Sequence, residues 1–231
     1  VRKLLLLGSK ALGRVSKVEL PQPAIINRGY SDEAWLVWKS IESLGRLGVI
    51  ARLLSNSHAV HILRHPCGYV SSVLRGESQG QLGGEVPSSD DFGIYELLLQ
   101  TVEARAHGLT LEGLRVMQPV ERLAWRWVLY NEKAMTDCAD LPICTRVRYE
   151  DLCADPVAGY RALFAATGLP WDQQTEAFVR ASTESNSGSY YSVFRNPLEA
   201  ARSWERQLAA EDIQRVLSIT RDSRDGGLYD D

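Results

Sequence analysis

No apolar run in the 231 residues approaches the roughly twenty that a membrane-crossing helix needs. Leu4 to Leu7 is too short and too poorly flanked for a secretory signal. An excess of basic charge is also missing. Lysine and arginine number 26 against 29 acidic residues, a net charge of -3. Phosphate-backbone affinity comes from neutralising many phosphates with a basic face, so bulk nucleic-acid binding is excluded, whereas one small anion held by a few arginines is not. Cysteine is scarce too. Cys67, Cys138, Cys144 and Cys153 show no C-x-x-C spacing and have no paired histidines nearby, so they read as free, mostly buried thiols and no metal is expected. No internal repeat is present. The chain opens on Val1 inside a pattern, "VRKLLLLGSKALGR", which reads as the interior of a longer or processed protein.

What is present suffices for one core: 45% of residues are hydrophobic and 24% charged, which predicts a single domain over 1–231. From Trp35 the apolar period alternates. "AWLVWKS" reads as a short buried strand, and "IESLGRLGVIARLL" as a helix with Ser40 or Ser43 as its cap. "AVHILR" reads as a second strand, and Cys67 to Leu74 as a helix with Pro66 in its first turn. Strand, helix, strand, helix implies βαβ units and a parallel sheet flanked by helices. Gly76 to Asp91 reads as an exposed loop. Ile94 to His107 and Gln118 to Thr136 read as helices, the latter with Val120, Leu123, Trp127 and Tyr130 on one side. "PICTRVRYEDL" predicts a strand ending at Tyr149. "DPVAGYRALFAATGL" predicts a helix capped by Asp155, opened by Pro156 and stopped by Gly168. "EAARSWERQLAAEDIQRVL" is helical again.

The stretch "HAVHILRHPCGYVSSVLRG", residues 58–76, carries the first chemical signal. A strand ending in Arg64, with a helix starting at Pro66, puts backbone N–H groups and a guanidinium at one sheet edge, which is an anion site. Ligands of open α/β sheets bind beyond the carboxyl ends of the strands, where Arg64 lies. Ser72, two helical turns on, reaches the same anion if helix and strand pack closely. The competing reading is an arginine capping its own sheet edge and a serine filling a small helix contact.

The spacing R-x-P-x-x-x-x-x-S after an apolar strand resembles the 3′-phosphate-binding segment of sulfotransferases that use 3′-phosphoadenosine 5′-phosphosulfate (PAPS). "VRYEDLCADP" followed by "FAATGLP" resembles a later strand and helix of that family, and "YSVFRNP" with Trp204 resembles its C-terminal phosphate loop and closing helix. "LVWKS" resembles the lysine-bearing strand of its carbohydrate-type branch. The resemblance spans about 35–217 and implies a P-loop-like three-layer fold with a central parallel sheet.

That resemblance implies that Arg64 and Ser72 bind the 3′-phosphate, as suits a guanidinium fork and a hydroxyl. It places Tyr149 near the adenine, against the alternative of a core tyrosine. Arg195 matches an anion-binding loop, although the Arg-Lys-Gly triplet of the cytosolic branch is absent. Adjacent Glu150 and Asp151 read as turn and capping residues, because neighbouring side chains point apart and an anion site repels them. Sulfuryl transfer needs an aligned acceptor hydroxyl, a base and positive charge on the leaving phosphate. Lys39 is the candidate for charge near the sulfonate, with a surface lysine as its alternative. His58, His61, His65 and His107 match no family base, and His65 beside Arg64 is expected to stay neutral.

The family's 5′-phosphosulfate loop has one candidate, Gly8 to Val15, where Arg14 and Val15 stand in place of a lysine and a hydroxyl residue. That segment reads better as an amphipathic helix, which puts the loop upstream and the fold N-terminally incomplete. The expectation is therefore a PAPS-dependent sulfotransferase acting on a small-molecule or carbohydrate hydroxyl or amine, inactive as this piece and prone to self-association at an open sheet edge. The alternatives are a silent 3′-phosphoadenosine-binding module or a nucleotide kinase-like protein. No nucleic-acid partner and no membrane span are expected, and the location is cytoplasmic, or the Golgi lumen for a piece of a membrane-anchored protein.

Overall fold

The computed structural model describes residues 36–41, 43–54, 56–82, 86–184, 194 and 196–229. The candidate loop Gly8 to Val15 and Arg195 lie outside them. The chain divides into two compact units, Val1–Lys39 and Ser40–Asp231, each described by itself. In the first, residues 36–39 form no regular element and are exposed, Leu36 at 90%. The buried strand expected at "AWLVWKS" is therefore not formed over its described part. A strand holds together by ladder bonds to a partner, and the described sheet has two strands, neither in this stretch.

In the second unit a 3₁₀ turn, Leu44–Arg46, leads into α1 (Leu47–Leu53). Then come β1 (Ala59–Leu63), α2 (Pro66–Ser78), α3 (Phe92–Leu98), α4 (Val102–Ala106), α5 (Leu111–Val116) and α6 (Pro119–Cys138). β2 (Cys144–Arg148) is followed by α7 (Tyr149–Ala154), α8 (Pro156–Thr167) and α9 (Gln173–Glu184). The chain closes with α10 (Pro197–Arg202), α11 (Trp204–Gln207), α12 (Ala210–Thr220) and a 3₁₀ turn, Gly226–Tyr229. This is a mostly helical α/β unit. β1 and β2 pair in parallel with Ala59 opposite Cys144 and Leu63 opposite Arg148, as the strand–helix alternation predicted.

α6 is the hub. Gln118 and Glu121 form a reciprocal capping box at its start, and Val120, Leu123 and Trp127 are buried on one face as the 3.6-residue period required. One side packs on α2 and α12 through Cys67, Val70, Leu123, Ala124 and Val216. Another packs on α3 and α4 through Tyr95, Leu98, Ala104 and Leu129. Trp127 and Val128 join Leu63 of β1 and Tyr229 in a third cluster. α6 thus fixes both the strand end and the C-terminal turn.

Several boundaries differ from expectation. α2 runs to Ser78 and so takes in the start of the predicted loop. The single helix expected over Ile94 to His107 is two, because the Thr101 hydroxyl accepts from the Ala104 N–H and starts α4 anew. Tyr149 opens α7 instead of ending the strand. α8 follows the sequence signals closely: the Asp155 carboxylate accepts from the Ala158 N–H, and Gly168 stops the helix at φ 72°.

Gly226 sits where no side chain fits. A Cβ there would run into the Thr220 carbonyl oxygen and lie 2.6 Å from that of Arg221. Both are backbone atoms at the end of α12, so Gly226→Ala must displace the turn that carries Tyr229. Urea denaturation should show a loss of about 1–3 kcal/mol, and an unchanged midpoint would contradict this packing.

Candidate anion-binding site

Because β1 and β2 are parallel and in register, Arg64 and the Arg148–Tyr149–Glu150 run leave the sheet at the same carboxyl edge. The Trp127 indole N–H donates to the Arg64 carbonyl at 2.9 Å, which fixes the backbone there. The Arg64 guanidinium lies over the Tyr149 ring, 4.9 Å from its centroid, and Nη2 donates to the Ala200 carbonyl at 3.3 Å. Its Nε is buried and has no hydrogen-bond partner among the described residues. The Nε atoms of Arg126 and Arg148 are buried in the same way, so Arg64 Nε is one of several guanidinium nitrogens to which the described residues offer no acceptor. Burial also lowers the pKa of Arg64 from its ordinary value, and the Tyr149 and Glu150 charges oppose that shift.

α2 is shaped around this group. A Cβ at Gly68 would come within 3.1 Å of Arg64 Nε and 3.5 Å of the Trp204 ring, so glycine leaves room for the guanidinium. Residues four and seven positions further along a helix share that face. They are Ser72, which is half-buried, and Arg75, whose charge acts on Arg64. The neighbouring Ser71 is committed elsewhere, its hydroxyl donating to the Gln207 side-chain oxygen at 2.6 Å.

The first N–H groups of α2 are not open to an anion, contrary to the sequence expectation. The His65 N–H donates to the Glu150 carboxylate at 2.9 Å, Pro66 has no N–H, and the Cys67 N–H donates to His65 Nδ1 at 3.1 Å. Capping has used those of His65 and Cys67, and the cationic groups at this edge are the guanidinium groups of Arg64 and Arg148. Glu150 also accepts from the Tyr229 hydroxyl at 3.2 Å, a structural role of the kind its sequence position implied.

His65 stacks on Trp204 with centroids 4.3 Å apart and planes 13° from parallel, and it meets Tyr229 edge-on at 5.0 Å. Burial first, then the Arg148 and Arg64 charges, push its pKa down to about 4, so it is neutral near pH 7. Arg148 lies over the Tyr229 ring at 4.8 Å, with its Nε 4.0 Å from the Asp151 carboxylate. Burial pushes the Tyr149 phenol up to about 12. The other histidines are tied into the fold. His58 bonds Thr145 at 2.7 Å, His61 bonds Asn131 at 2.8 Å and His107 bonds Glu132 at 2.8 Å.

Arg64, Ser72 and Tyr149 therefore gather on one edge. Lys39 is exposed on an irregular segment of the first unit. Arg75 and Arg148 belong to the edge and were not among the sequence candidates. The Gly68, Ser72, Arg75 stripe was readable as helical spacing, whereas Arg148 needed the strand register. No group of three or more His, Cys, Asp or Glu among the described residues is placed to hold a metal ion, and none of the described helices is long and apolar enough to cross a membrane.

Over 78 residues, 32% of this chain, the sequence is 39% identical to human carbohydrate sulfotransferase 6. A stretch of the same length is 32% identical to human carbohydrate sulfotransferase 5. These stretches span 20% and 19% of the two relatives, about a fifth of each. The sulfotransferase domain from the curacin biosynthetic pathway aligns over 76% of this chain and 59% of its own, with a TM-score of 0.42 and 16% identity. No family model matches the chain.

Proposed function

We propose that this chain, a relative of the carbohydrate sulfotransferases, binds the adenosine 3′-phosphate end of PAPS at the Arg64 edge and serves transfer of its sulfuryl group to a carbohydrate hydroxyl. The observation that carries the reading is the buried Arg64 guanidinium with an unpartnered Nε, facing the glycine-cleared side of α2. A phosphate supplies the acceptor oxygens that this nitrogen lacks. Ser72 and Arg75 add a hydroxyl and a second positive charge on the same helix face. The Tyr149 ring packs on the guanidinium.

When bound, PAPS supplies the sulfuryl group: an acceptor oxygen forms the new bond to sulfur as the sulfur–oxygen bond to the 5′-phosphate breaks, and the acceptor proton leaves to a base. Lys39 is our candidate for a cation at the developing charge, and Arg195 for a further phosphate contact. The carbohydrate acceptor is drawn from what the relatives are named for.

Calorimetry with adenosine 3′,5′-bisphosphate against 5′-AMP tests the reading. The bisphosphate should bind at least about tenfold more tightly, since it alone offers the charge-assisted bonds of the 3′-phosphate. Equal affinities, or preference for ATP, would overturn it. With labelled PAPS and carbohydrate acceptors, Lys39→Met in the active protein should cut turnover about tenfold at unchanged cofactor affinity. Turnover equal to the parent's would remove Lys39 from the proposal.

A further inference from the structure

Away from the anion edge, the hairpin of α8 and α9 holds an open cleft of about 450 Å³. Trp171 and Asp172 of the connection line it with Gln173, Glu176, Ala177 and Arg180 of α9. Small-molecule sites usually span about 300–1,000 Å³, so the cleft is large enough for one. Glu176 is its hub. Oε1 accepts from Arg180 Nε at 3.2 Å and Nη2 at 2.8 Å, and Oε2 accepts from Arg161 Nη2 at 2.5 Å and from the Trp171 indole N–H at 3.4 Å. Those bonds, the Arg180 pair first, hold the Glu176 carboxyl down to about 2, so it is ionised near pH 7. The Phe164 ring meets Trp171 edge-on at 5.2 Å, and the Arg161 guanidinium lies over the indole at 5.6 Å from its centroid. Trp171 is thus gripped at its N–H and on its ring, yet it stays half-exposed where it lines the cleft. Asp172 uses one carboxylate oxygen to accept from the Thr175 N–H at 2.7 Å and is otherwise exposed, as are Gln173 and Arg180.

We infer that this cleft binds one ring of a neutral carbohydrate, with a pyranose face laid on Trp171 and its hydroxyls bonded to Asp172, Gln173 and Arg180. The charges decide against an ion. Two guanidinium groups, of Arg161 and Arg180, meet two carboxylates, of Glu176 and Asp172, so the cleft carries no net charge to draw one in. What it offers is an aromatic surface flanked by groups that donate and groups that accept hydrogen bonds. A pyranose carries the complementary set, an apolar C–H face rimmed by hydroxyls that do both. A wholly apolar ligand would take water from Asp172 and Arg180 without replacing its hydrogen bonds. The Glu176 hub also holds the lining in place before a ligand arrives, which lowers the ordering cost of binding. α9 packs on α8, and α8 packs on α7, the helix that Tyr149 opens. A cleft set out from the anion edge in this way suits a sugar of the acceptor other than the one that takes the sulfuryl group, an assignment that rests on the function proposed above.

The test follows the indole N–H signals of the six tryptophans by NMR while maltotriose, cellotriose, chitotriose and lactose are added separately at millimolar concentrations, with no nucleotide present. The signal that vanishes in Trp171→Phe belongs to Trp171, and at least one of the four sugars should shift it in the parent. Trp171→Ala should weaken binding of that sugar at least about tenfold, read by saturation transfer to the sugar's own protons, and Arg180→Ala should weaken it less. Circular dichroism checks that both variants fold. Inorganic sulfate, compared with chloride at the same ionic strength, should leave the Trp171 signal in place. The site would be overturned by a Trp171 signal that none of the sugars moves, by one that sulfate moves, or by equal sugar binding in the parent and Trp171→Ala. The nucleotide comparison is read separately. A chain that prefers adenosine 3′,5′-bisphosphate but meets no sugar at Trp171 loses this site and keeps the proposed function, and the converse result does the opposite.

Discussion

Replacing Arg146 by methionine should lower the stability of the fold by about 3 kcal/mol at pH 7, because it strands a buried carboxylate. Asp225 is 1% exposed; one of its oxygens accepts from Arg146 Nη1 at 2.6 Å, and the other has no hydrogen-bond partner among the described residues. Burial raises the Asp225 pKa above its ordinary value even with Arg146 beside it. The folded protein therefore takes this proton more readily than the unfolded chain does. Stability from such a group is complete below the ordinary carboxylate pKa and is lost as pH rises through the raised folded value. Without Arg146 that folded value rises further, so the gap between variant and parent should grow from pH 4 to pH 7. Reading the gap cancels the opposite trend of His65, whose lowered pKa costs stability as pH falls below about 6.5, whereas His61, which Arg146 itself helps to lower, loses less stability at low pH in the variant and so adds to the growth of the gap. Adding Asp225→Asn to the variant should recover most of the loss. Urea denaturation at several pH values measures all of this, and a gap that is small at pH 7 or constant with pH would refute it.

The sequence made the elements of the anion edge legible where one local signal dominated. Arg64 could be placed because the apolar alternation of β1 stops there and Pro66 can open a helix but not extend a ladder. Asp155, Pro156 and Gly168 bounded α8 by the same kind of chemistry. Tyr149 was misplaced by one element, since "TRVRY" goes on alternating after the ladder has ended. The break before Thr101 was hidden because its capping hydroxyl lies inside an uninterrupted apolar period. In each miss the competing signal was as local as the one followed, so no wider window of sequence would have separated them.

Contacts that complete the edge were illegible for another reason. Arg64 reaches a carbonyl 136 residues away, and Tyr229 reaches Glu150 across 79. Neither partner has a pattern of its own. The same holds for the N–H groups of His65 and Cys67 at the start of α2, whose use by Glu150 and His65 has no sequence pattern of its own. Sequence spacing named Arg64 and Tyr149, which the fold brings together, and missed that capping occupies helix-terminal donors it had counted as open.

Arg64→Ala should accordingly weaken binding of adenosine 3′,5′-bisphosphate by about 2–5 kcal/mol, the cost of removing one partner of a buried, hydrogen-bonded charge pair. Binding of 5′-AMP should scarcely change, since it lacks the phosphate that the guanidinium would meet. This contrast separates loss of a specific contact from general loosening of the edge. Loosening is a real alternative, because the missing side chain leaves Gly68, Tyr149 and Trp204 facing empty space. Arg64→Lys keeps the charge but gives up the planar fork and its packing on Tyr149, so it should fall between parent and alanine variant. Ser72→Ala removes one neutral donor and should cost no more than about 1.5 kcal/mol. Calorimetry of the three variants against both nucleotides, with circular dichroism as a check on folding, decides the matter. Equal losses for the two nucleotides, or none for either, would show that Arg64 serves the sheet edge alone.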